Sequence, residues 1–399
     1  MNNESILLFT KDAFCTEYLP CYGNKYWEGM TPNFNEMVEK GTLFTRFYTA
    51  APSSAMAYMA MFTGKYPYEQ EIKEYVPLVQ SYSGKTLFDL AREKGFEGHV
   101  IWDEKWMTTS YLHSRCYGEG TVFHPLKDLR QGVGFHNPHE GVLVADKGKE
   151  EATLIMIEKE ISEIVSRGKV FVWFHLPHVI NGRVGYGSDI DLHDRVLGIM
   201  RKYFDDSKIF ISGDHGNMNG HKGKIGYGFD VNEAATRIPL ITPRKNGLRV
   251  CNDLISNIDW DKIIFGGDTI PAREIIISDC AYYAQLSRKT VFMYKQYRYI
   301  YNLRDRSEEL YDIEWDPNEN FNLIADETLD VDRHVMVKSR ELYFYPHWDN
   351  LPAIREKLRD VKQRMWREPT KTQMILYKAR NNKFLRAVGM PILKVLRIK

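Results

Sequence analysis

Three short stretches of this sequence carry side chains able to do chemistry. Asp214-His215-Gly216 follows the β-rich run KIFISG, so a carboxylate and an imidazole emerge together from a strand end, either as two metal ligands or as an ordinary turn. Asp12 follows ILLFT and supplies a second carboxylate at another strand end. Oxygen and imidazole together suit one divalent ion: Mg²⁺, Ca²⁺, Mn²⁺ or Zn²⁺. Ser54 lies in TAAPSSAMAYMAMFTG, where a proline-broken loop runs into a helix. A hydroxyl there is either an N-cap or a nucleophile beside an anion-binding helix terminus, with Ser53 as the neighbouring alternative.

Such groups need elements to hold them. Short apolar runs at 6–10, 99–103, 170–176 and 208–212 alternate with helical patterns at 31–41, 55–63, 86–94, 150–167 and 188–203, a βαβ rhythm that predicts an α/β doubly wound sheet flanked by helices. Thr31-Pro32 reads as an N-cap followed by N1, Gly41 as a C′ glycine, and Gly95 and Gly168 as the stops of two later helices. In such a sheet ligands gather at the carboxyl ends of the strands, which picks out Lys11-Asp12, Asp103 to Lys105, Pro177-His178 and Asp214-His215. Asp189 and His193 are i, i+4 neighbours on an amphipathic helix, and that pair reads as structural. From about residue 285 the pattern becomes strand-like alternation, VFMYKQYRYIYNL and then EELYDIEWDPNENFNL, which predicts a small antiparallel piece. The expected organisation is a catalytic domain over 1–284, an antiparallel subdomain over 285–345 and a basic helical tail over 346–399.

Composition narrows the class. With 399 residues, 43% of them hydrophobic, the chain excludes a disordered protein and a lone binding module. Apolar runs such as Ile6 to Phe9 and Val170 to Phe174 fall well short of the roughly 20 residues that span a bilayer. The opening MNNESILLFTKD has no signal-peptide pattern, so a cytoplasmic location is expected. Five scattered cysteines without a CxxC pair read as buried thiols. The net charge of +1 hides an asymmetry: from Arg355 onward 14 Lys/Arg face three acids, giving +11 and leaving −10 on the rest. That tail is interleaved with apolar clusters. It predicts either a peripheral contact with an anionic membrane at its inner face or a basic helix packed on the body. No nucleic-acid partner is expected.

The stretch CYGNKYWEGMTPNFNEMVEKGTLFTRFYTAAPSSAMAYMAMFTGKYP resembles the N-terminal signature of the sulfatase family within the alkaline phosphatase superfamily. GDHGNMNGHKGKIGYGFDVNEAATRIPLIT resembles that family's Asp-His-Gly block and the block after it, and QYRYIYNLRDRSEELYDIEWDPNENFNL its C-terminal subdomain. The resemblance implies an alkaline phosphatase-like fold with a mixed sheet. It places the nucleophile ten residues before Gly64, at Ser54. Sulfatases continue x-Pro-x-Arg, which directs conversion to formylglycine; Ala55-Met56-Ala57-Tyr58 lacks both residues, implying that Ser54 stays serine.

By the same resemblance Asp12, Asp214 and His215 are metal ligands, and Lys11 stands where relatives carry a second acid and brings a fixed charge to the substrate. The histidine form of the late block leans towards phosphate. Lys105 matches an active-site lysine, although Met107 replaces the family's histidine two residues on. His178, in FHLPH, matches a group on the ester or leaving-group oxygen, and His221 with Lys222 or Lys224 matches later substrate contacts. The implied function is a metal-dependent hydrolase of phosphate or sulfate esters, on glycan or lipid-linked substrates, in which Ser54 attacks and Lys105, His178 and His221 stabilise charge. The alternatives are a phosphotransferase of the same superfamily and an inactive member that acts as a binding protein.

Overall fold

The computed structural model describes residues 4–25, 27–70, 84–103, 117–127, 135–137, 141–144, 147–177, 189–280, 289–325, 329–330, 335–338 and 341–365. Its centre is an eight-stranded sheet built from β1 (Ile6–Lys11), β2 (Thr42–Phe44), β3 (Glu97–Asp103), β4 (Val122–Leu126), β5 (Val170–Leu176), β6 (Ile209–Gly213), β7 (Leu240–Thr242) and β8 (Val250–Cys251), in the order β8-β2-β7-β6-β1-β5-β3-β4. The strands β6, β1, β5, β3 and β4 run parallel, while β7 is antiparallel to both β6 and β2, so the sheet is mixed as expected. In β1 the side chains alternate between two cores, Ile6 and Leu8 in one and Leu7 and Phe9 in the other. Burial of both faces explains why the strand reads as an unbroken apolar run.

Helices α1 (Pro32–Lys40), α4 (Lys147–Val165) and α5 (Ile190–Met200) fill one face of the sheet. The other face holds α2 (Ser54–Thr63), α3 (Leu87–Glu93) and α7 (Trp260–Phe265), with the short α6 (Glu233–Thr236) between β6 and β7 in sequence. Every residue of α2 after Ser54 is buried. A helix that is apolar all round must be enclosed, and α2 is: Met56, Met59 and Phe62 join the main core while Ala60 faces the second sheet. Gly41 does end α1, but for a reason other than the expected one. Its φ of −101° is not left-handed; glycine is required because the Thr242 carbonyl occupies the space a Cβ would fill.

The second sheet is antiparallel throughout: β9 (Ile275–Asp279), β10 (Lys289–Tyr294), β11 (Tyr297–Asn302) and β12 (Glu308–Asp312), so its first strand lies ahead of residue 285. Arg298, wholly buried on β11, ties it to α6 by an ion pair to Glu233 at 2.8 Å and a hydrogen bond to Thr236 at 3.0 Å, and also pairs with Glu319, just beyond β12, at 2.7 Å. Helix α8 (Leu351–Met365) packs Leu358 and Val361 on this sheet. Its cations are held locally: Arg355 and Arg359 pair with Glu308, Lys357 with Glu274, and Lys362 sits 3.5 Å from the Tyr301 ring. As far as Met365 the tail is therefore a helix packed on the body. The rest, 366–399, lies outside the described residues.

Cys15, Cys251 and Cys280 are buried thiols, Cys21 is partly so, and Cys116 falls outside the described residues. Among the described residues no helix is long and apolar enough to cross a membrane.

Candidate active site

The site forms where β1, β5 and β6 end together, because Lys11 pairs in register with both Leu176 and Gly213. Asp12 leaves β1 with its N–H donated to the Leu176 carbonyl at 2.8 Å. Ala13 then takes a left-handed φ of 54°, and its N–H donates to Asp214 Oδ1 at 3.0 Å. The His215 N–H donates to the same oxygen at 2.8 Å. With Oδ1 held by the backbone, Oδ2 of Asp214 lies 3.4 Å from His215 Nε2, and Asp12 Oδ1 lies 3.5 Å from that nitrogen.

The imidazole is oriented by its other nitrogen. His215 Nδ1 is 2.8 Å from the Gly216 carbonyl, an acceptor only, so Nδ1 carries the proton and Nε2 presents its lone pair. The Tyr227 ring packs on this imidazole at a centroid distance of 4.3 Å. Gly216 completes the turn because the Ala234 carbonyl sits where its Cβ would be, and its N–H donates to Ala235 at 3.0 Å. The Asp-His-Gly block and the block EAATRIPL are thereby locked together.

The ligand atoms of Asp12, Asp214 and His215 lie within 4.8 Å of one another, and all three residues are buried. Burial raises the Asp214 carboxyl above its usual range; the His215 imidazole opposes this and the Asp12 charge adds to it. Two carboxylates and an imidazole nitrogen in a buried cluster form a donor set that fits a divalent cation, which would relieve the repulsion between the acids.

Ser54 is the first residue of α2, and its Oγ lies 3.0 Å from His215 Nε2. The N-cap position belongs instead to Ser53, whose φ of −154° is extended and whose hydroxyl makes no capping bond. The capping reading of Ser54 is thus replaced by a contact with the cluster.

Beneath the cluster lies a polar group buried in the sheet core. Thr10 and His175 are register partners on β1 and β5, with Thr10 Oγ1 2.8 Å from His175 Nδ1. Trp173 Nε1–H donates to Thr10 Oγ1 at 2.8 Å, and His175 Nε2 is 2.7 Å from the Tyr58 hydroxyl. Burial, then the charges of Asp214 and Asp12, push the Tyr58 phenol well above its usual range, so it stays protonated.

Of the other residues singled out from sequence, Lys11 is almost fully buried. Its ammonium donates to the Asp12 carbonyl at 3.2 Å, pairs with Asp189 at 3.4 Å and lies about 6 Å from the Phe14 and Tyr18 rings (5.9 and 5.8 Å). Asp189 in turn accepts, through its carbonyl, from His193 Nδ1 at 2.6 Å. His221 sits against Glu17 at 2.7 Å, a contact that raises the imidazole pKa, and Lys224 pairs with buried Asp230. Lys105 and His178 lie outside the described residues. Sequence reasoning passed over Thr10, His175, Tyr58 and Tyr227. The available signal was a hydroxyl and an imidazole inside two otherwise apolar strands, together with a tyrosine one helical turn after Ser54.

Comparisons with known proteins bear on the family and the fold. A family model described as Sulfatase matches residues 5–146. A choline-sulfatase of Rhizobium meliloti (strain 1021) is 23% identical over 366 residues, covering 85% of this chain; the chain spans 66% of that relative's length. Among solved structures, a 2-O GAG sulfatase superimposes with a TM-score of 0.64 at 13% identity over 91% of this chain and 92% of that one. The phosphonate monoester hydrolase of Agrobacterium radiobacter gives 0.62 at 14% identity over 93% and 99%. At such identities the structural likeness establishes the fold, and the resemblance to sulfatases read from the sequence is borne out by all three comparisons.

Proposed function

We propose that this chain is a metal-dependent hydrolase of phosphate or sulfate esters with Ser54 as its nucleophile. The observation that carries the reading is the 3.0 Å contact between Ser54 Oγ and His215 Nε2, at the edge of the buried Asp12-Asp214-His215 cluster. Asp12, Asp214 and His215 hold the ion. When bound, it supplies Lewis acidity to an ester oxygen and lowers the pKa of a nearby hydroxyl. Ser54 gives up its proton and attacks the phosphorus or sulfur in line, from a helix N-terminus whose dipole favours the anionic ester; the bond to the leaving-group oxygen breaks, that oxygen departs protonated as the alcohol, and water then cleaves the Ser54 ester and restores the hydroxyl. On the sequence alone, Lys105 and His178 are assigned to the non-bridging and leaving-group oxygens. The absence of x-Pro-x-Arg after Ser54 keeps the hydroxyl unmodified and favours phosphoryl chemistry. The sulfated glycan substrate class of one structural neighbour supports an anionic, glycan-linked ester. Beyond the cations that pair on the body, residues 366–399 carry nine Lys/Arg against Glu368, a charge of +8 that supports docking on an anionic membrane, which liposome flotation at low and high salt would test.

The same contact also fits a metal-free Ser–His pair in which Nε2 takes the Ser54 proton. A panel of phosphomonoesters, phosphodiesters and sulfate esters, assayed with Mn²⁺, Mg²⁺, Ca²⁺ or Zn²⁺ and with chelator, separates the two. Turnover that requires a metal and vanishes in Ser54→Ala is the expected result. Turnover unaffected by chelation moves His215 to the role of base. A folded Ser54→Ala protein that still turns over removes Ser54 as nucleophile.

A further inference from the structure

We propose that Tyr227 is a specificity-determining residue: its ring walls the mouth of the Ser54–His215 site and selects esters whose alcohol presents a flat apolar face, an aryl ring or the C–H face of a pyranose. The proposal rests on the reading of Ser54 as the nucleophile of an ester hydrolase, and it holds for either role of His215.

Of the described residues set against His215, Asp12, Asp214 and Gly216 are buried, while Ser54 and Tyr227 are partly exposed. Access to the nucleophile therefore runs past the tyrosine. The imidazole presents Nε2 to the Ser54 hydroxyl at 3.0 Å and carries the Tyr227 ring against it, with centroids 4.3 Å apart and planes inclined at 39°. In-line attack puts the leaving-group oxygen on the side of the phosphorus or sulfur opposite Ser54 Oγ. The alcohol on that oxygen leads away from the buried carboxylates and into the mouth, where Tyr227 supplies an aromatic wall.

The ring is delivered by a loop staked at both ends. Met218–Asn219 pairs antiparallel with Ile225–Gly226, and Lys224 pairs with buried Asp230 across the base of the loop. Asp230 is held in turn by Lys289 of β10 at 3.5 Å. Lys222 lies 3.5 Å from Glu309 of β12 and 3.8 Å from the Tyr311 ring, which ties the near end to the same sheet. Between Lys224 and Asp230 runs Ile225-Gly226-Tyr227-Gly228-Phe229, without a charge although it borders a site for an anion. Gly226 and Gly228 have left-handed φ of 102° and 86°, so the chain turns sharply on both sides of Tyr227. The loop's lysines are thus taken up in anchoring it, and what it brings to His215 is an amphipathic ring. Such a ring gains from a flat apolar neighbour, so it discriminates in the alcohol part of the ester and not in the acid part.

The test is a ratio of KM values within pairs of esters of closely matched leaving-group acidity. One pair is phenyl against hexafluoroisopropyl; the other is glucose against glycerol, each esterified at a primary hydroxyl; all are assayed as phosphates and as sulfates. Wild type should favour the flat member of at least one pair by about 2- to 12-fold, the worth of one aromatic contact, and the pair that shows it tells aryl from sugar. Tyr227→Leu should abolish the preference and Tyr227→Phe should keep it. A loss shared by both members of a pair reports the ring's support of His215 and cancels in the ratio. Gly228→Ala, strained at its left-handed φ, displaces the ring without removing it and gives the same test if Tyr227→Leu does not fold. No preference in wild type, a preference that survives Tyr227→Leu, or one that Tyr227→Phe abolishes overturns the proposal. A folded wild type that turns over none of these esters, with or without Mn²⁺, overturns the ester-hydrolase reading itself.

Discussion

Two buried clusters of charge in this molecule are built to opposite plans. Around Arg298, one guanidinium sits between Glu319 and Glu233, and a hydroxyl, a carbonyl and the Met293 sulfur take its remaining protons. Both carboxylates come from blocks that the sequence makes conspicuous, the Asp316-Pro317-Asn318-Glu319 run and the EAATRIPL run, and the cluster clamps the antiparallel sheet to the main domain. Around His215, two carboxylates converge on one imidazole whose Nδ1 proton is already given to a carbonyl. With Lys222 3.7 Å from Glu319 and Arg237 3.8 Å from Glu233, the first cluster answers its own charge from within and is structural. The second concentrates negative charge on one lone pair and one hydroxyl, an arrangement that calls for a cation from outside the chain. Burial alone does not distinguish a clamp from a binding site; the internal balance of charge does.

The comparison can be broken most severely at Arg298. Arg298→Leu leaves Glu319 and Glu233 only their longer pairs with Lys222 and Arg237 and should cost about 3–5 kcal/mol in unfolding free energy, read by urea denaturation. Asp214→Asn should do the reverse. It removes one of two repelling carboxylates, so metal-free stability should hold or rise. The stabilisation that wild type gains from Mn²⁺, about 2.7 kcal/mol at a hundredfold excess over Kd, should disappear in a thermal-shift assay. A mutant that loses several kcal/mol without metal would show that the second cluster is a clamp as well. The smallest effect belongs to His221 and Glu17, where the imidazole pKa is raised in the folded state by its carboxylate partner. A raised folded pKa means that this pair contributes fully below the unfolded value of about 6.5 and fades as pH rises through the folded value. His221→Gln should therefore cost about 1 kcal/mol or less at pH 5 to 6 and nothing by pH 9, as followed by chemical denaturation across that range.

What the sequence made legible depended on distance along the chain. Asp12, Asp214 and His215 stood out because each ends a long apolar strand, and strand ends in a doubly wound sheet meet at one edge. The helices emerged from local signals, and their boundaries moved by only a few residues. The partner of Lys11 was hidden because Asp189 is brought to it by tertiary packing alone. Tyr58 was read as a missing arginine; its contact with His175 depends on a pairing of strands, Thr10 beside His175, that no local pattern encodes. Strands β2, β7 and β8 have only two or three residues each, too few to establish a period of two. Gly41 was assigned the right place for the wrong reason, since a crowding carbonyl from β7 cannot be foreseen from helix-stop chemistry.

The position of β1 also sets a timetable for the ribosome. This strand is made before the other strands of its sheet, yet its neighbours on either side are residues 170–176 and 209–213. At about 5–20 residues per second, the roughly 200 residues that must follow take about 10–40 s to synthesise. Until residues 170–176 are made ILLFTK has neither flank paired, one flank stays open until 209–213 follow, and the α2 sequence behind it waits for the same sheet to cover it. A nascent chain in this state presents an unmatched apolar strand to every other nascent chain nearby. Shielding of β1 while the later strands are made is therefore a demand on the chain that is separate from the stability of the finished sheet.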